Sequence, residues 1–149
     1  MPTREELTHK IREEKRNRGL TWKAIAEAIG SGSPILYTAA LLGQMTLTKA
    51  EAENASTLLN LSDAEAAMLT EPPWRGSLPT VPPSDPLVYR FHELVQTYGT
   101  TWKALIEEEF GDGIMSAIDF DMQIEREPNP KGDRVKITMS GKFLPYKRY

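Results

Sequence analysis

The 149-residue sequence contains no cysteine. Disulfides, thiol nucleophiles, thiolate metal ligands and iron–sulfur clusters are therefore excluded. Histidine is scarce: His9 and His92 are the only two, far apart and outside any HExxH or HxxxH spacing, so no metal site is expected. Long apolar runs are missing as well, none approaching the roughly 18 residues that a membrane helix needs. The opening MPTREELTHKIREEKRNRG alternates acids and bases and has no apolar stretch of the kind a secretory signal carries. A cytoplasmic protein with no membrane partner is the expectation. Strong net charge is also lacking: 18 Lys plus Arg against 21 Asp plus Glu give −3, too mild to attract a polyanion.

Proline, by contrast, is concentrated. Pro72, Pro73, Pro79, Pro82, Pro83 and Pro86 all fall between Thr70 and Leu87. Without the backbone N–H that helices and inner strands use, this stretch reads as an extended connector. The expected organisation is a helical bundle over residues 1–75, a connector over 76–86 and a second domain over 87–149.

Before the connector, helix starts are written explicitly. Thr3 with Glu6, Thr48 with Glu51 and Ser62 with Glu65 fit the capping box, in which a hydroxyl and a carboxylate satisfy the free N–H groups of a first turn. Thr21 opens a further helix with Trp22, Ile25, Ala26 and Ile29 on one face. Ser33 and Pro34 open another, carrying Leu36, Ala39, Ala40 and Leu42 and closing at Gly43. Five short helices are predicted, and the pair around GSGSP has helix-turn-helix spacing. DNA binding is disfavoured all the same. The second helix of the pair, SPILYTAALLGQ, has no Arg or Lys, and nine bases against ten acids over residues 1–75 leave no basic face.

After the connector, Asp85 and Pro86 start a helix expected to run to Gly99, with Leu87, Phe91, Leu94 and Tyr98 on one stripe and Arg90, Glu93 and Thr97 on another. Thr101 is expected to cap a separate helix ending at Gly111. The period then changes from 3.6 to 2. Ile118, Phe120, Met122 and Ile124, and after a turn Val135, Ile137 and Met139, alternate with polar residues, which predicts a hairpin with one apolar face. Two strands alone are marginal in water, so that face should pack on helices or on a second copy of the chain. The fold class is α+β.

Taken singly, the chemistry-bearing residues say little. Arg90 and Glu93, at i and i+3, fit an ordinary solvated pair. GDGIMSAIDF, Gly111 to Phe120, fits a helix end running into a strand as well as a ligand-facing turn. Together, however, YRFHE (Tyr89–Glu93), YGTTWKAL (Tyr98–Leu105), FGDGIMSAIDF (Phe110–Phe120) and GKFLP (Gly141–Pro145) resemble the C-terminal domain of the cyanase family, also called cyanate hydratase or cyanate lyase. The helical region with its AALLGQ segment is similar to that family's N-terminal domain, itself akin to phage-repressor bundles without binding DNA.

The resemblance implies a metal-free and cofactor-free enzyme whose partners are its substrates cyanate and bicarbonate and other copies of itself, in a homodecamer of five dimers with interlocked C-terminal domains and no nucleic acid. It implies Arg90, Glu93 and Ser116 as catalytic residues. Each has a physical role to fill. Arg90 supplies fixed positive charge in a planar fork, Ser116 a hydroxyl donor with the backbone N–H of Ala117 beside it, and Glu93 orients Arg90 or holds a proton. Leu144 of GKFLP is expected to line a neighbour's site. His92, Met115 and Asp119 depart from the family's commoner tyrosine, isoleucine and asparagine. The competing function is a helix-turn-helix regulator with an anion-sensing dimerisation domain.

Overall fold

A computed structural model describes residues 2–149 as two compact units, the first ending at Ser77 and the second spanning Leu78–Tyr149. The first holds five helices: α1 (Arg4–Asn17), α2 (Trp22–Ile29), α3 (Pro34–Leu41), α4 (Lys49–Leu59) and α5 (Asp63–Met68). All three expected capping boxes form, at Thr3–Glu6, Thr48–Glu51 and Ser62–Glu65. Leu7, Ile11, Ile25, Ile29, Leu41, Leu59 and Leu69 are fully buried and form its centre.

Two polar devices fix this bundle. The Tyr37 hydroxyl donates to Glu51 Oε1 at 3.2 Å and accepts the Gly32 N–H at 2.9 Å, so the turn between α2 and α3 wraps around a phenol. Because Tyr37 takes the inward position, the buried face of α3 is Tyr37, Ala40 and Leu41, and Leu36 stays at the surface. The Arg4 guanidinium, in the first turn of α1, donates to the carbonyls of Ala40 at 2.9 Å and Met45 at 3.1 Å and also to that of Met68. It thereby satisfies backbone acceptors where α3 and α5 run out of intrahelical partners.

The second unit is one helix and one hairpin: α6 (Pro86–Phe110), β1 (Gly113–Glu127) and β2 (Arg134–Pro145). The two helices expected on either side of Gly99 are a single 25-residue helix. Gly99 lowers helix propensity by about 1 kcal/mol but breaks no hydrogen bond, and the Tyr98 and Trp102 rings stack across it at 6.4 Å. Asp85 caps the start, accepting the Val88 N–H at 3.0 Å, and the helix stops at Gly111, whose φ of 95° suits glycine.

The strands are antiparallel and longer than the alternating pattern alone suggested. Met122 faces Met139 and Ile124 faces Ile137, which puts the predicted apolar residues of both strands on one side. Glu125 opposite Lys136 and Glu127 opposite Arg134 put complementary charge on the other. No residue of α6 is buried, and the apolar hairpin face is open too, with Ile118 97% exposed. The hairpin meets the helix at its last turn, where the Phe110 and Phe143 rings stack at 5.2 Å and the Tyr146 N–H bonds to the Asp112 carbonyl.

Candidate active site

Near its start, α6 presents a small cluster. Arg90 and Glu93 are one turn apart on the same face, and Arg90 Nη2 lies 3.2 Å from Glu93 Oε1. The Arg90 guanidinium carbon also sits 5.4 Å from the centre of the Tyr89 ring, and the Tyr89 and His92 rings are 5.5 Å apart, tilted by 42°. The ring contact with Arg90 was not read from the sequence, although YRFHE places the tyrosine next to the arginine.

On the hairpin the expected residues lie in a disturbed stretch of the ladder. Met115 pairs with Phe143 and Phe120 with Gly141, so Ser116, Ala117, Ile118 and Asp119 stand against Lys142 alone. Such a bulge frees backbone groups from the ladder and redirects side chains. Ser116 Oγ accepts the N–H groups of Ile118 at 3.0 Å and Asp119 at 2.9 Å. A hydroxyl has two acceptor lone pairs and one proton, so with both lone pairs engaged Ser116 can offer only its O–H. That geometry suits holding an anion and does not suit a nucleophile, whose oxygen must be free to attack. Ser116 is 5% exposed, whereas Ala117 has no partner in the register and is exposed.

Two glycines allow the strands to approach closely on either side of this stretch. A Cβ on Gly141 would collide with the Ser116 carbonyl and the Met115 side chain, and one on Gly113 with the Leu144 carbonyl and the Phe143 ring. Leu144 pairs with Ile114, two positions from Ser116 along β1. The hairpin thus gathers Ser116, Ala117 and Leu144, while Arg90 and Glu93 sit about 30 Å and about 25 Å up the helix axis from Phe110, where the hairpin attaches, at 1.5 Å per residue. Among the described residues no hydrogen bond or ion pair joins Ser116 to Arg90 or Glu93. The two groups of expected residues therefore stand apart within one chain. Among the described residues no three His, Asp or Glu side chains gather as metal ligands.

Comparison with known proteins covers both halves. Residues 4–73 match the family described as cyanate hydratase, N-terminal, and residues 80–148 match the cyanate lyase C-terminal domain. The chain is 62% identical to the cyanate hydratase of Ralstonia pickettii, over 98% of this chain and 99% of that one. It is 59% identical to the cyanate hydratase of Dechloromonas aromatica over the same shares. The crystal structure of cyanase from T. urticae superposes with a TM-score of 0.78 at 37% identity, covering 93% of this chain and 96% of the other. With both domain families matched in order and full-length relatives at this identity, the chain belongs to the cyanate hydratase (cyanate lyase) family.

Proposed function

We propose that this protein decomposes cyanate with bicarbonate as the second substrate, yielding carbon dioxide and carbamate, with Arg90, Glu93 and Ser116 as its catalytic residues. The single observation that carries the reading is the pairing of two anion-suited groups, the Arg90–Glu93 pair and the donor-only Ser116 hydroxyl, on a chain 62% identical to a cyanate hydratase.

Cyanate and bicarbonate are both monoanions, so bringing them together requires fixed positive charge and donors that need no reorganisation. Arg90 remains protonated and offers a planar fork to a carboxylate-like anion. Ser116 offers its O–H, and the N–H of Ala117, a residue outside the ladder register, serves as a second donor. A bicarbonate oxygen attacks the cyanate carbon, giving a mixed dianion. Cleavage of its bridging C–O bond releases carbon dioxide and, with uptake of one proton, leaves carbamate, which breaks down to ammonia and more carbon dioxide. Nothing in this sequence of steps calls for a thiol, a metal or an organic cofactor, because the second substrate brings the nucleophile. The 3.2 Å contact supports an orienting role for Glu93.

The separation of the two half-sites and the uncovered apolar faces of α6 and the hairpin support a site completed between subunits, in a homodecamer built of dimers. Leu144 then lines a neighbour's site. Cytoplasmic residence belongs to the same reading; no helix among the described residues is long and apolar enough to cross a membrane. The regulator reading has nothing in its favour, since α3 carries no Lys or Arg and the matched relatives are cyanate hydratases.

The test is ammonia release from cyanate by the chelator-treated, assembled protein in buffer freed of carbon dioxide, with and without added bicarbonate. Release that depends on bicarbonate is the expected result. No release in either buffer overturns the reading and makes duplex DNA binding the next assay.

A further inference from the structure

The geometry points to Tyr89 as a positioning residue for Arg90: its ring holds the guanidinium by its face, leaving the N–H edge free for the two anions. The inference rests on the proposed role of Arg90. Two groups touch that guanidinium, and they act differently. Glu93 Oε1 lies 3.2 Å from Nη2 as an ion pair and offsets part of the positive charge. The Tyr89 ring lies 5.4 Å from Cζ, within the range at which an aromatic face attracts a cation. All five N–H groups of arginine lie in the guanidinium plane, so a ring contact consumes none of them.

The distinction matters for a site that must collect two negative charges. An arginine held by carboxylates alone is ordered at the expense of the charge it is there to supply. A neutral ring orders the same side chain and leaves the charge in place. Arg90 and Glu93 side chains are 60% and 49% exposed in the single chain, so the arginine needs such a restraint in the state that meets substrate. Tyr89 itself is half-buried and braced by the His92 ring at 5.5 Å, so the platform is steadier than the group it carries. Once both anions are bound they hold the guanidinium themselves. The ring therefore acts mainly on the free enzyme, and its loss should raise KM more than it lowers kcat.

The test replaces Tyr89 in the assembled full-length protein with phenylalanine and then with mono-, di- and trifluorinated phenylalanines. These keep the ring's shape and progressively drain its face of negative charge. Tyr89→Phe is expected to stay within about twofold of the parent in KM for bicarbonate, since both rings attract cations. Along the fluorinated series KM should climb stepwise to a total of about 3- to 30-fold, with a smaller change in kcat. Tyr89→Leu should match the end of that series if it assembles; if it does not, the fluorinated set decides alone. A flat series in an active protein overturns the inference, because a purely structural ring would be indifferent to fluorine. A parent protein that releases no ammonia overturns the functional reading instead, so the two failures are distinguishable.

Discussion

Gly141 and Ser116 are locked together across the hairpin: the Ser116 carbonyl occupies the place where a Cβ on residue 141 would stand, and the Met115 side chain closes the remaining space. Backbone cannot yield as a flexible side-chain tip can. Gly141→Ala must therefore displace the bulge that presents Ser116, at a cost of about 1–3 kcal/mol for an overpacked site. The expected outcome is a lower Tm together with a loss of turnover at least as large as that of Ser116→Ala. An oxyanion-type donor is worth roughly 10²–10³ in kcat, which sets the scale for Ser116→Ala. Steady-state ammonia release and thermal melts of the two variants check this; full activity in Gly141→Ala would show that the bulge tolerates movement.

Arg90 and Glu93 should fail in different ways. Arg90→Ala removes the charge that brings two anions together, so kcat/KM should fall by orders of magnitude while the helix stays intact, because the exposed side chain meets Tyr89 and Glu93 of its own helix and enters no buried core. Glu93→Gln keeps the shape and hydrogen-bonding reach of the side chain and removes only its charge. If Glu93 orients Arg90, this variant should lose less than Arg90→Ala, and Glu93→Gln in an Arg90→Ala background should cost almost nothing further. A double-mutant cycle on kcat/KM measures the coupling. Independent, additive losses would assign Glu93 a separate role, such as moving a proton.

The helical bundle was legible because its starts are local: each capping box is contained in four residues, and each formed where the spacing put it. The hairpin's face was legible for the same reason, alternation being a property of one strand. What escaped were effects that need two distant parts of the chain. Arg4 serves carbonyls 36, 41 and 64 residues away, and no local pattern marks it. Gly99 looked like a stop because glycine often ends helices, yet apolar residues on both sides of it hold one continuous turn structure. Ser116 was legible as a serine in a motif, but its two accepted N–H bonds became visible only with the bulge. Of the candidate site, the residue types stand in the motifs; the distance between Arg90 and Ser116 does not, because separation along a 25-residue helix is a tertiary fact.

The Lys10–Glu65 pair makes bundle stability depend on pH in a predictable direction. Glu65 is nearly buried and accepts from Lys10 Nζ at 2.7 Å while also capping α5 through the Ser62 N–H at 2.8 Å. The Lys10 hydrogen bond, with the Ser62 amide second, holds its carboxyl below the ordinary glutamate value. A depressed folded pKa means that the unfolded chain binds the proton more readily. The contribution is therefore complete above the unfolded value of about 4.3 and is lost as pH falls through the lower folded value. Lys10→Met should cost about 1–2 kcal/mol near pH 7, the range for a partly exposed charge-assisted bond, and less as pH falls through the lowered folded value. Urea unfolding of the parent and variant at several pH values checks this; a penalty independent of pH would mean that Lys10 contributes through its packing.

Exposed apolar surface on the hairpin should be covered by association. Met122 and Met139 pair directly, Ile124 and Ile137 do so one step further on, and in the single chain Ile124 and Met139 remain more than half exposed. Two strands with a bare apolar face are marginal in water, so a partner surface must cover them if the hairpin is to persist. A charge placed there, Met139→Glu, costs little in an isolated chain, where the position is wet, and a great deal in a dry interface, where an unpaired carboxylate is buried. The expected result is a shift to smaller species in sedimentation velocity and a parallel loss of ammonia release, with the helical bundle's circular dichroism retained. The parallel is the informative part, because no hydrogen bond or ion pair joins Arg90 and Ser116 within one chain among the described residues. Dissociated chains that keep full turnover would show that one chain can close its own site.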